Sequence, residues 1–324
     1  MGLGEDVEQA LKQHFKPEKV SRVLDAWTRL RKGDRFKQFW IGKGLQCAGS
    51  YLEGLSAKPW HHPDDYPWAS TLAENADVIT AEFQRWKEKA GGELWIPAAG
   101  DDDNAYGDNW RKIVLQDRQW DSTNCAMFPE TTKIVKSLPL PSCEVCFARQ
   151  EPMTGVSLHT DNTNFVLTAH LGVDVPDGKC WIQVGESRKE WQNGKVLVFD
   201  ASFMHETGNE SSTSRVVLLI RFWHPEVTTE EQSALNFIFE ALDDPSLLKK
   251  GPTIKPRQVL GPEAQLDRLD DFMDELKAEG LVSGYSTPED VINQAPKNRQ
   301  GRRKASKTAK KMSRRSGRSE GFGK

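Results

Sequence analysis

Two histidines in this chain of 324 residues stand where they could hold a metal ion together with a nearby acid. His159 lies in SLHTDNTN with Asp161 two residues on, His205 lies 46 residues later in FDASFMHETGN, and Arg215 follows it by ten at the head of RVVLLIRFW. Two imidazoles and one carboxylate can occupy one face of an iron(II) ion and leave the opposite positions open for a chelating 2-oxo acid and dioxygen. A guanidinium on a neighbouring strand suits the far carboxylate of 2-oxoglutarate, because arginine pairs in a planar, bidentate fashion. The His-x-Asp pair alone is a weak signal; the conjunction with His205 and Arg215 carries the reading. Plainer readings compete. A single buried histidine is usually a hydrogen-bonded core residue, the reading kept for His14 and for His224 in WHP. Asp161 could instead be a turn residue of HTDNTN.

Both histidines follow short apolar runs, which sets what must position them. From Trp110 to His224 such runs alternate with turn signals: IVLQ, EVCFAR, FVLTAHLGV, CWIQV, KVLVFD and RVVLLIRFW. The separators VPDGK and WQNGK contain Asp-Gly and Asn-Gly, which predict hairpins. Many short strands at this spacing predict an antiparallel sandwich or barrel of the jelly-roll type. Helices are expected over 4–32, where Pro17 opens a second one, around 70–90, over 228–242 behind a Thr228 or Thr229 cap, and near 263–279. The stretches 97–109 and 120–128 read as loops that would help select a substrate. The chain therefore divides into a helical segment (1–50), a strand-rich catalytic domain (51–245), a helical extension (246–296) and a basic, disordered tail (297–324).

Charge and cysteine content narrow the function classes. The formal net charge of -3 conceals a tail, 297–324, with 12 Lys+Arg and one acid, so the rest of the chain carries -14. An acidic body argues against a nucleic-acid-binding core. The tail clusters Arg302-Arg303-Lys304, Lys310-Lys311 and Arg314-Arg315 are of the nuclear-import type and could equally touch nucleic-acid phosphates, and Ser306 and Ser313 among them could be phosphorylated. Five cysteines at irregular spacing do not suggest a disulfide scaffold. Cys143 and Cys146 form a lone CxxC within a strand, where residues three apart point to opposite faces. No apolar run approaches the ~20 residues that a membrane span needs. The start lacks a signal-peptide pattern, and Asp6 stands where a myristoylation signal wants Ser or Thr. The expected location is cytoplasmic, or nuclear by way of the tail, with no membrane partner.

The stretches HTDNTNFVLTAHLGV, GKVLVFDASFMHE and RVVLLIRFWHPEVT resemble the catalytic domain of the aspartyl/asparaginyl β-hydroxylase family, with weaker similarity upstream, so that the likeness covers roughly residues 51–240. The resemblance implies a double-stranded β-helix (jelly roll, cupin-like) with flanking helices, using Fe(II), 2-oxoglutarate and O2. By motif, His159 and His205 would be iron ligands and Arg215 the partner of the 2-oxoglutarate C5 carboxylate. His170 and Trp110 match family residues that lie near the cosubstrate. Three positions depart from the animal enzymes of the family: Asp161 replaces a glycine, Thr168 a cosubstrate-binding arginine, and Ala148 a serine. The first change restores a two-histidine, one-carboxylate triad; the others alter the cosubstrate contacts. The expected activity is hydroxylation of an aspartyl/asparaginyl-like side chain in a peptide or protein, or of a small amino-acid-like molecule. The alternatives are a non-catalytic metal-binding jelly-roll module and an oxygenase acting on an unrelated small molecule. Oxidative halogenation needs a coordination position freed of the carboxylate, and Asp161 argues against it.

Overall fold

In the computed structural model, the strand-rich half forms two antiparallel sheets. The structure describes residues 3–90, 95–98 and 109–252. The expected helix near 263–279, the basic tail and most of the 97–109 loop lie outside these residues. The strands are β1 (Phe36–Trp40), β2 (Gly44–Ala48), β3 (Trp60–His61), β4 (Ile96–Pro97), β5 (Trp110–Asp117), β6 (Gln119–Trp120) and β7 (Ser142–Gln150). They continue with β8 (Val166–Asp174), β9 (Cys180–Val184), β10 (Ser187–Glu190), β11 (Val196–Phe199), β12 (His205–Asn209) and β13 (Arg215–Trp223). The large sheet has the order β3-β11-β8-β13-β7-β5-β4, with β6 paired to β5, and the small sheet has the order β10-β9-β12. After β8 the chain passes to the small sheet for β9 and β10, back for β11, across for β12 and back again for β13. Isolated bridges Thr154↔Asn209 and His159↔His205 lay residues 154–159 along β12. This is the expected mainly β architecture: a jelly roll with flanking helices.

Period-two geometry explains why so few polar residues interrupt the central strands. All nine residues of β13 are buried, which requires cover on both faces. Val217 and Leu219 point between the sheets with Cys146, Ala148, Ile182 and Phe203. Leu218 and Ile220 point outward with Phe147 and Leu171 to a layer containing Leu72, Ile79, Phe83 and Val135. That layer is formed by α3 (Pro67–Glu74), α4 (Ala76–Ala90) and α6 (Pro129–Ser137), with α5 (Ser122–Met127) beside it. A third cluster joins α1 (Leu3–His14), α2 (Ser21–Arg31) and α7 (Thr229–Asp243) to Phe165 and Trp223, and the short α8 (Leu247–Lys250) closes it. Cys143 belongs to this third cluster and Cys146 to the inter-sheet core, on opposite faces of β7 as the strand reading requires. Neither cysteine is in a disulfide.

Several local expectations are corrected. VPDGK and WQNGK do turn on glycines with positive φ, Gly178 at 66° and Gly194 at 73°, but each carries the chain from one sheet to the other and neither closes a hairpin. A tight hairpin forms instead at β9–β10, which pairs Val184 with Ser187 across Gly185-Glu186. Gly185 has φ 58°, and a Cβ there would lie 1.8 Å from the Lys43 carbonyl, so only glycine lets the β1–β2 hairpin dock. The helix expected over 70–90 is two helices parted at Asn75, and 120–128 holds a helix opened by the Asp121 side chain, which accepts from Asn124 N. Pro17 opens a 3-10 turn, and α2 starts at Ser21. The 228–242 reading is sound: Thr228 Oγ1 accepts from Glu231 N (3.2 Å), and Glu231 Oε2 accepts from Thr228 N (2.9 Å), a reciprocal capping box. Among the described residues, no helix is long and apolar enough to cross a membrane.

Candidate metal centre

Backbone pairing alone sets the two histidines side by side. His159 N donates to His205 O (3.0 Å), and His205 N donates to His159 O (2.8 Å). Side chains of such an antiparallel pair emerge on the same face, and the ring centroids are 4.1 Å apart. Each ring is then turned by its own strand: His159 Nδ1 meets Ser157 O at 2.7 Å, and His205 Nδ1 meets Phe203 O at 2.9 Å. A carbonyl can only accept, so Nδ1 carries a proton in both rings and Nε2 is the nitrogen turned toward Asp161. That arrangement is the one a metal ligand needs.

Asp161 completes the group. Its Oδ1 lies 3.6 Å from Nε2 of His159 and 3.6 Å from Nε2 of His205. Ligand atoms of the three residues all fall within 4.8 Å of one another. Asp161 N donates to Ala201 O (3.0 Å), which ties the loop to the turn before His205. The next residue, Asn162, has φ 62°, a left-handed conformation that asparagine tolerates better than most side chains. Its carbonyl accepts from Gly49 N (2.9 Å) and Ser50 N (3.2 Å), so the end of β2 braces the loop. The turn reading of HTDNTN and the ligand reading of Asp161 are therefore compatible: Asn162 makes the turn, and Asp161 faces the histidines.

The cavity at this group is lined by His159, Asp161 and His205 and also by Arg215, His170 and Trp110. All six residues singled out from the sequence meet there. Arg215 is 2% exposed, donates from Nη2 to Gln150 Oε1 (2.5 Å), and stacks 4.1 Å over the Trp191 ring. Burial pushes its pKa down to about 10, partly opposed by Cys180. Its buried Nε has no hydrogen-bond partner among the described residues. A buried guanidinium in that condition calls for an anion, and a dicarboxylate such as 2-oxoglutarate fits the demand. His170 Nδ1 accepts from Trp191 Nε1 (3.2 Å), so the same indole supports both His170 and Arg215. Thr168 lines the cavity too, whereas Ala148 packs in the inter-sheet core.

Sequence reasoning missed Trp191, Gln150 and, above all, Arg221. Arg221 is 3% exposed, donates from Nη2 to Asp161 Oδ2 (2.6 Å), and lines the cavity. The signal was available, since an even spacing from Arg215 on one strand puts both arginines on one face.

Fold and site together define a jelly-roll protein with a cluster of two histidines and one carboxylate that could hold a metal ion. Residues 73–225 match the family model described as Aspartyl/Asparaginyl beta-hydroxylase, and the chain resembles that family across its strand-rich half. The human aspartyl/asparaginyl beta-hydroxylase is 30% identical over 192 residues, 57% of this chain and 25% of that protein. The human aspartate beta-hydroxylase domain-containing protein 2 is 35% identical over 225 residues, 61% of this chain and 60% of that protein. An ornithine lipid ester-linked acyl 2-hydroxylase from Rhizobium tropici is 27% identical over 184 residues, 53% of this chain and 62% of that protein. The matched region thus spans a quarter to about three fifths of these relatives.

Proposed function

We propose that this chain is an iron(II)- and 2-oxoglutarate-dependent dioxygenase that hydroxylates an aspartyl/asparaginyl-like side chain of a peptide or protein. The observation that carries the reading is the meeting, in one cavity, of the His159–Asp161–His205 cluster with the buried Arg215. His159, Asp161 and His205 would hold the iron, and Arg215 would take the distal carboxylate of 2-oxoglutarate. When bound, the metal and cosubstrate would supply oxygen activation coupled to decarboxylation, chemistry that side chains cannot perform alone. The chain's own contribution is positioning. Ser157 O and Phe203 O orient the imidazoles, Trp191 presents Arg215 and His170 to the cavity, and Phe199, Ile182 and Leu219 make its apolar wall.

The kinship with hydroxylases supports a hydroxylation in particular, and the aspartyl/asparaginyl name attached to the matched family supports the side-chain class. A second reading, hydroxylation of an acyl chain, draws on the ornithine lipid hydroxylase relative. The test is succinate release with iron(II), 2-oxoglutarate and oxygen, driven in turn by a library of Asp- and Asn-containing peptides and by ornithine lipid. Peptide-dependent succinate that disappears in His205→Ala supports the first reading. Lipid-dependent succinate alone would replace it with the second. No stimulated turnover with either, in a chain that binds metal, would favour a binding module.

A further inference from the structure

We infer that Arg221 is a positioning residue that holds Asp161 toward the metal, an inference that rests on the functional reading above. Its Nη2 takes one carboxylate oxygen, Oδ2, at 2.6 Å, while the other, Oδ1, is the oxygen equidistant at 3.6 Å from the two imidazole nitrogens. The guanidinium thus chooses which oxygen meets the metal and fixes the plane of the carboxylate. Asp161 N donates to Ala201 O, which ties down the backbone, and Arg221 of the neighbouring strand holds the carboxylate.

Neighbouring residues are arranged to hold Arg221 there. On one side its cross-strand partner is Glu144 of β7, whose Oε2 lies 3.6 Å from Arg221 Nε, and Lys112 of β5 follows Glu144 at 3.7 Å. Acids and bases, from the half-buried Lys112 through the buried Glu144 and Arg221, therefore alternate across three strands and end at Asp161. With Glu144 1% exposed, removing either partner of this row would leave an uncompensated buried charge, which ties the position of Arg221 to that of Glu144. On the other side the partner is Thr168 of β8. Its short side chain lines the same cavity, which leaves the floor to the guanidinium. Asp161, Thr168 and Arg221 thus form one spatial unit. The carboxylate of the cluster comes with a cation that aims it.

Outer-sphere partners of metal ligands commonly carry 10–100-fold in metal affinity. The experiment titrates the full chain with Mn(II) in the presence of 2-oxoglutarate, following bound metal by its paramagnetic resonance signal, with thermal unfolding recorded alongside. Arg221→Met should weaken Mn(II) binding by roughly tenfold or more, and Arg221→Lys should recover part of the loss. Because Arg221→Met strands Glu144, the pair Glu144→Gln/Arg221→Met serves as the control for folding and should show the same loss at near wild-type melting temperature. In an Asp161→Gly background, Arg221→Met should cost nothing further, since there is no carboxylate left to aim. Affinity within twofold of wild type in the folded double variant would overturn the inference, as would a full additional loss on top of Asp161→Gly. A wild-type chain that binds no Mn(II) would instead defeat the functional reading itself.

Discussion

At the scale of single residues, the site divides cleanly between what sequence spacing reveals and what only folding can show. His159, Asp161 and His205 were legible because metal chemistry restricts ligand types and because a strand end precedes each motif. Arg215 was legible from its place at the head of an apolar strand, where an arginine is costly unless it has a task. Spacing from Arg215 could have placed Arg221 on the cavity face, but its partner Asp161 lies 60 positions earlier, in a loop that only folding brings beside the strand. Arg215 carries the first prediction. Arg215→Ala should weaken 2-oxoglutarate binding by on the order of 2–3 kcal/mol, roughly 30- to 150-fold, while Mn(II) affinity without cosubstrate stays near wild type. Calorimetric titration of each ligand separately checks it. Unchanged 2-oxoglutarate affinity would remove Arg215 from the cosubstrate pocket.

At the scale of elements, strand content was legible from apolar period and turn composition, whereas sheet membership was not. VPDGK and WQNGK have hairpin composition, yet the strands they join belong to different sheets, because a glycine with positive φ reverses the chain equally well across a sandwich edge. Strand β12 (HETGN) was hidden because its side chains are polar; its pairing comes from backbone hydrogen bonds to β9. Helix α6 was missed for a related reason, since its first backbone amides are met by the Glu82 carboxylate of α4, which accepts from Glu130 N and Thr131 N at 2.8 Å each. Helix α7, with its capping signal in its own sequence, was read correctly. Its Glu231 serves twice, in the capping box and as the partner of Arg22 on α2 at 2.6 Å. Thr228→Ala should therefore destabilise the protein by about 1 kcal/mol, seen as a lower urea midpoint at unchanged slope. A midpoint equal to wild type would show that Arg22 and helix packing suffice without the cap.

At the scale of the whole molecule, a buried histidine pair next to the large sheet links the fold to pH. His61 of β3 meets Tyr66 Oη through Nδ1 (2.8 Å), and its ring centroid lies 6.0 Å from that of His224 beyond β13. Burial, reinforced by His224 and Lys58 and only partly opposed by Asp65 and Glu226, pushes the His61 pKa down to about 4. Burial lowers that of His224 too. A histidine with a depressed folded pKa is neutral in the native state, so the unfolded chain takes up more protons below its ordinary pKa. Stability should then be intact above about pH 6.5 and fall as the pH drops toward about 4, with His61 alone contributing on the order of 2 kcal/mol of loss near pH 5. Urea midpoints of wild type and His61→Asn across this range check the sign. The variant should show the shallower pH dependence, and equal slopes would exclude His61 as a source.

In the proposed function, His159, Asp161 and His205 hold an iron ion that 2-oxoglutarate chelates with Arg215 on its far carboxylate. Anaerobic titration of iron(II) into the chain with 2-oxoglutarate, followed by the visible charge-transfer absorption of the chelate, tests it most directly. The expected result is a band that saturates at one iron per chain, vanishes in His159→Ala and needs far more 2-oxoglutarate in Arg215→Ala. No band in the wild-type chain, or an undiminished band in His159→Ala, would contradict the assignment of this cluster as the metal centre.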